Sequence, residues 1–138
     1  MENRIVAVDP GKTTGLAFFN GGNFMVGSEV YDYDAIRGFL QTYNPEVVVV
    51  EDYVVGRLGA HHRTPLMVMG AVEMICQDLE IPIVYQSPSI LKIMLKRLDD
   101  EEGFGLNSPH VRSAAAHALY YITEGGRHAK PTKFKRKG

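Results

Sequence analysis

The chain holds a single cysteine, Cys76, so it can form no internal disulfide. That scarcity fits a reducing compartment. Cys76 lies in the apolar stretch Met74-Ile75-Cys76 and reads as a small buried hydrophobe rather than a nucleophile. Long apolar runs are also missing. None approaches the roughly 18 residues that a membrane span needs, and Met1-Glu2-Asn3-Arg4 lacks the apolar core of a signal peptide. The expectation is a soluble, cytoplasmic protein with no membrane partner. No internal repeat is visible, which argues against a solenoid. One stretch is strongly basic: residues 127–138 hold Arg127, Lys130, Lys133, Lys135, Arg136 and Lys137 and no Asp or Glu. The preceding 126 residues hold nine basic and all sixteen acidic side chains, a balance of −7. An acidic body with a basic tail suits a polyanionic partner. The expected organisation is one domain over residues 1–126, followed by a disordered basic tail, 127–138.

What is present alternates strands and helices. Ile5 to Val8 is a short apolar run that ends in Asp9-Pro10-Gly11, a buried strand and then a turn. Gly15 to Phe19 and Phe24 to Val30 are two more strands, joined by the hairpin signal Asn20-Gly21-Gly22-Asn23. Asp32 or Asp34 can cap a helix with Ile36, Phe39 and Leu40 on its apolar face, and Asn44-Pro45 ends it. Val47 to Val50 is all valine, as in a strand covered on both faces. Residues 52–65 read as a loop, Thr64 to Leu79 as an apolar helix, and Ile81 to Tyr85 as a fifth strand. Ser87-Pro88 opens a helix to Leu98, residues 99–105 read as a loop, and Ser108-Pro109 opens a last helix ending near Gly125-Gly126. The order β-β-β-α-β-α-β-α predicts an α/β domain: a mixed five-stranded sheet with helices on both faces.

Asp9 and Glu51 each end a very apolar strand. If those strands are parallel neighbours, they lie about 4.8 Å apart, and both carboxylates meet at the sheet edge where open α/β sheets place their sites. Two such acids repel unless a cation separates them, and hard oxygen ligands favour Mg²⁺ or Mn²⁺. The same acids also read simply as strand ends entering loops. Gly11-Lys12-Thr13 imitates the end of a nucleotide-binding P-loop, but Val6 stands where that motif needs glycine.

Four segments together resemble the RuvC-type Holliday-junction resolvases, especially their compact bacterial-virus versions. Val8-Asp9-Pro10-Gly11 through Gly15 is similar to the first motif and Val48-Val49-Val50-Glu51 to the second. Gln86-Ser87-Pro88-Ser89-Ile90-Leu91-Lys92 resembles the proline-to-lysine segment, and His110-Val111-Arg112-Ser113-Ala114 lies where the last metal ligands fall. The resemblance implies an RNase H-like nuclease domain, a homodimer, and paired nicks in branched DNA. It also implies two Mg²⁺ or Mn²⁺ ions per site and a bacterial or virus-infected bacterial cytoplasm. It makes Asp9, Glu51 and His110 the ligand candidates. Ser113 stands at the position that is usually aspartate, so the site has one acid fewer.

His110, Ser113 and His117 share one face of the last helix. His117 reads equally as a packed residue or as a partner to a ligand. Lys12 in the first turn, and Lys92, Lys96 and Arg97 on the helix after the fifth strand, are candidate phosphate contacts, as are Lys133, Lys135, Arg136 and Lys137 of the tail. Tyr53 could stack on an unpaired base, while His61, His62 and Arg63 read as exposed loop residues. The helix from Thr64 to Leu79 is apolar nearly all round, which suits burial against a second subunit. Two other functions fit the pattern less well. One is a branched-DNA-binding protein that cleaves little or not at all, suggested by Ser113. The other is an ATP-dependent phosphotransferase, which needs two such domains where 138 residues hold one.

Overall fold

The computed structural model describes residues 3–52, 63–100 and 108–124. They form five strands and four α-helices: β1 (Arg4–Asp9), β2 (Thr14–Asn20), β3 (Asn23–Val30), α1 (Tyr33–Tyr43), β4 (Val47–Glu51), α2 (Arg63–Leu79), β5 (Ile83–Gln86), α3 (Leu91–Asp100) and α4 (Pro109–Thr123). The strands make one mixed sheet in the order β3-β2-β1-β4-β5. The β1–β2 and β2–β3 pairs are antiparallel, and the β1–β4 and β4–β5 pairs are parallel. The hairpin between β2 and β3 turns on Gly21 and Gly22, at φ +60° and +85°, angles that side-chain-bearing residues rarely adopt.

Strand alternation sorts the core into two layers. Val6, Val8, Val48 and Val50 face one way and pack with Ile36 and Leu40 of α1 and Val68, Met69, Val72 and Ile75 of α2. Ile5, Ala7, Val47 and Val49 face the other way, against Met94 and Leu98 of α3 and the alanines Ala114, Ala115 and Ala118 of α4. Both faces of the sheet are therefore covered, as the all-valine strand implies. Among the described residues, no helix is long and apolar enough to cross a membrane. Cys76 is fully buried in the α1/α2 layer, and burial pushes its thiol up to about 12, so it packs as a neutral hydrophobe.

Local signals set most boundaries. Asp32, rather than Asp34, caps α1, its Oδ1 accepting from the Ala35 amide at 2.8 Å. Asn44 closes that helix in the left-handed region at φ 44°. Ser108 caps α4 by accepting from the Val111 amide at 3.2 Å. Arg63, read as a loop residue, opens α2, and three further boundaries differ by more than a one-residue shift. The fifth strand starts at Ile83, not Ile81, because the Ile81 amide donates to the Cys76 carbonyl at 2.9 Å and finishes α2. Pro88–Ile90 forms a 3-10 turn ahead of α3, and α3 runs on through Asp99 and Asp100, which the sequence had assigned to a loop. The remainder of the loop after Glu51, with Tyr53, His61 and His62, and the whole basic tail lie outside the described residues.

Candidate active site

Asp9, Glu51 and Gln86 end the three parallel strands at one edge of the sheet. Val8 pairs with Val50 across β1 and β4, so Asp9 and Glu51 each come one residue later, side by side. Glu51 pairs with Gln86 across β4 and β5. Strand alternation then fixes their direction. Asp9 follows Ile5 and Ala7, Glu51 follows Val47 and Val49, and Gln86 follows Val84, all of which face the α4 layer. The three side chains therefore point under α4, and all three are buried.

Helix α4 supplies one histidine to each carboxylate. His110, in its first turn, places Nδ1 3.7 Å from Asp9 Oδ2 and leaves nearly half its side chain exposed. His117, two turns on, is completely buried. Its Nε2 lies 3.1 Å from Glu51 Oε1 and its Nδ1 lies 3.0 Å from Gln86 Oε1. Ser113 sits between them on the same helix, partly buried. Gln86 Nε2 is buried without a hydrogen-bond partner, alone in this among the described side chains.

The helix reaches this position because two glycines leave the sheet without side chains beneath it. Gly15 pairs with Asp9 across β1 and β2, and a Cβ there would overlap the His110 carbonyl and the Val111 amide. Gly27 on β3 gives the same clearance to the Val111 side chain. The turn that follows Asp9 is closed by Thr14, whose hydroxyl donates to the Gly11 carbonyl at 2.9 Å, and it presents Lys12 to solvent. On the opposite face of β5, burial first and the Glu73 carboxylate second push the Tyr85 hydroxyl above its ordinary range, so it stays protonated and bonded to Glu73.

The structure thus places His110 beside Asp9, Glu51 on the adjacent strand, and Ser113 one turn after His110 on α4. Lys92 lies in the first turn of α3, directly after the 3-10 turn that leaves β5 at the same edge, and Lys96 follows one helical turn later; both are exposed. Arg97 is set apart from them, in a groove between α3 and α4 lined also by Ile93, Tyr120 and Glu124. Tyr53, Lys133, Lys135, Arg136 and Lys137 fall outside the described residues. The sequence reading gave Gln86 no role and left His117 open. The signals were a polar side chain ending a strand in register with Glu51, and a second histidine two turns after His110.

Two carboxylates on adjacent strands, with an imidazole beside each, are a donor set suited to a hard divalent cation. Among the described residues, no group of three or more His, Cys, Asp or Glu side chains stands in metal-holding geometry.

By sequence, no family model and no curated protein matches the chain. By structure it is similar to RuvC from T. thermophilus in complex with a Holliday junction substrate, with TM-score 0.77 over 94% of this chain and 99% of that one, at 18% identity. A second Thermus thermophilus RuvC structure superposes at TM-score 0.71, with the same coverage and 19% identity. The fowlpox virus resolvase in complex with Holliday junction DNA matches at TM-score 0.56, over 86% of this chain and 97% of that chain, with 14% identity. The chain has the RNase H-like fold of these resolvases.

Proposed function

We propose that the chain is a metal-dependent endonuclease that nicks branched DNA. The observation that carries this reading is the convergence of Asp9 and Glu51 beneath α4, at the end of adjacent parallel strands. Asp9, Glu51 and His110 are the residues that would hold Mg²⁺ or Mn²⁺. When bound, such ions activate water and steady the leaving oxygen of a phosphodiester. The protein's own part is to keep both carboxylates aligned and largely shielded from bulk water. Lys12, Lys92 and Lys96 are exposed around the same edge, where their ammonium groups would hold phosphates on either side of the cut. Tyr53 and the basic tail are assigned to DNA from sequence alone. The direct test is to incubate the protein with labelled four-way junction, flap and linear duplex, with Mg²⁺, Mn²⁺ or EDTA. Cation-dependent nicks in the branched substrates are expected; equal cutting of linear duplex, or no cutting with either ion, would overturn the reading.

A second reading, binding of branched DNA with weak cleavage, is favoured by one observation. Ser113 occupies the α4 face between the two histidines and adds only a neutral hydroxyl to the site. The two readings diverge at Ser113→Asp. If the site cleaves but is short of charge, the aspartate should raise the nicking rate most at low Mg²⁺, and bound divalent ions offset its repulsion of Asp9 and Glu51. Nicking curves against Mg²⁺ that superpose for the two proteins would show that Ser113 does not limit the site.

A homodimer is part of the proposal, because two sites related by a two-fold axis match the near-symmetry of a junction. Helix α2 supports it. Val68, Met69, Val72, Ile75 and Cys76 are buried inward, whereas Met67 and Met74 are 57% and 67% exposed on the outer side. Two methionines seven residues apart, with exposed Gly70 between them, form a narrow apolar seam. The double variant Met67→Glu, Met74→Glu should sediment as a monomer under conditions where the unaltered chain is a dimer. An unchanged mass would place the interface elsewhere.

A further inference from the structure

We infer that His117 and Gln86 act as positioning residues that lock the Glu51 carboxylate in one orientation. This rests on the nuclease reading, because it supposes that Glu51 serves as a ligand.

Geometry is the first ground. The His117 ring is held at both ends, to Glu51 Oε1 at 3.1 Å and to Gln86 Oε1 at 3.0 Å, so it cannot rotate without breaking a bond. The two side chains that hold it come from paired positions on adjacent strands, Glu51 and Gln86. The backbone locks those strands beyond the pair, with the Asp52 amide donating to the Gln86 carbonyl at 2.8 Å. With Glu51 ionised, Nε2 carries the proton and donates. If the Gln86 amide is turned over, its nitrogen donates to Nδ1, a neutral ring still donates to Glu51, and the otherwise unpartnered Gln86 Nε2 is satisfied.

Energetics is the second. A buried Glu-His-Gln chain adds little stability compared with apolar residues of similar volume. The surrounding α4 positions, Ala114, Ala115, Ala116, Ala118 and Leu119, show that this layer is otherwise apolar. A polar chain retained there, ending on one of the two site carboxylates, is explained by what it does to that carboxylate. A ligating carboxylate that is itself hydrogen-bonded has its orientation and basicity set by that partner, and removing such partners commonly lowers metal affinity about 10- to 100-fold.

The test uses the full chain with His117→Leu, His117→Gln and Gln86→Leu. Glutamine at 117 keeps a donor near the position of Nε2; leucine does not. Mn²⁺ affinity is measured on the free protein by calorimetry, the Mg²⁺ concentration for half-maximal nicking is measured on a four-way junction, and junction binding is measured in EDTA. The expected result for His117→Leu is at least a tenfold loss of Mn²⁺ affinity, with a matching rise in the Mg²⁺ requirement and unchanged junction binding. His117→Gln should restore most of the loss, and Gln86→Leu should fall between. A folded His117→Leu protein with wild-type Mn²⁺ affinity, or a His117→Gln protein as impaired as the leucine variant, overturns the inference and leaves the nuclease reading standing. Should His117→Leu fail to fold, wild-type Mn²⁺ affinity in Gln86→Leu overturns it equally. Unaltered protein that binds Mn²⁺ but nicks no branched DNA defeats the nuclease reading alone, and the affinity series still decides the positioning. Unaltered protein that binds no Mn²⁺ defeats both.

Discussion

Asp9→Asn and Glu51→Gln should each lower junction nicking by roughly a thousandfold while leaving junction affinity within about twofold, since a cation at the site is worth several kcal/mol and each 1.36 kcal/mol is tenfold in rate. Each substitution keeps the shape of the side chain and removes one unit of charge. Fold should be preserved, because the Gln carbonyl at position 51 still accepts from His117 Nε2 at the place where Glu51 Oε1 does now. Without divalent ions the variants should unfold at the same temperature or slightly higher, because the mutual repulsion of neighbouring buried acids is relieved. Junction binding should persist because the proposed phosphate contacts are the lysines on the first turn and α3, not the strand ends. Nicking assays and gel shifts run on the same preparations make the comparison. A fully active variant at either position would remove that residue from the site.

Gly15→Ala should destabilise the domain by about 3 kcal/mol, at the upper end for an overpacked site. The new methyl would meet the backbone of α4 at His110 and Val111, not the end of a side chain that could swing aside. Accommodating it requires α4 to lift from the sheet, which moves His110 away from Asp9 and His117 away from Glu51. Loss of stability and loss of nicking should therefore appear together. Gly38→Ala is the contrast. Gly38 lies within α1 with nothing within 4 Å of a new Cβ, so alanine there should stabilise by up to about 1 kcal/mol through helix propensity. Urea unfolding of both variants gives the comparison. A Gly15→Ala protein as stable as the parent would mean that α4 sits higher above β2 than it does here.

Particular residues show what could be read without coordinates. Period-two alternation, the Gly21-Gly22 turn and the Ser108-Pro109 start signal are local features, and they specified strands, hairpin and last helix. Pairing Asp9 with Glu51 needed one further assumption, that their strands are parallel neighbours, and the register bears it out. The fifth strand was misjudged by two residues because Ile81 is apolar enough for a strand, yet its amide is taken by the end of α2. Arg97 follows Lys96 in sequence, but a helix turns about 100° per residue, and it lines a groove with Tyr120 and Glu124 instead.

The sequence alone determined the strand and helix order, the two-sided burial of the sheet, the inert role of Cys76, and the candidates Asp9, Glu51 and His110. All but His110 depend on composition, on periodicity or on residues close together in the chain; His110 is a candidate only through the resemblance to the RuvC-type resolvases. Only the tertiary structure decided what His117 and Gln86 touch. Glu51 and His117 are 66 residues apart and Gln86 and His117 are 31 apart, so no local pattern links them. They meet because Gly15 and Gly27 let α4 approach the sheet closely, and because strand alternation turns Glu51 and Gln86 towards that helix. A long-range contact of this kind is set by how closely two elements pack, and the glycines that permit it show their purpose only when the helix is in place.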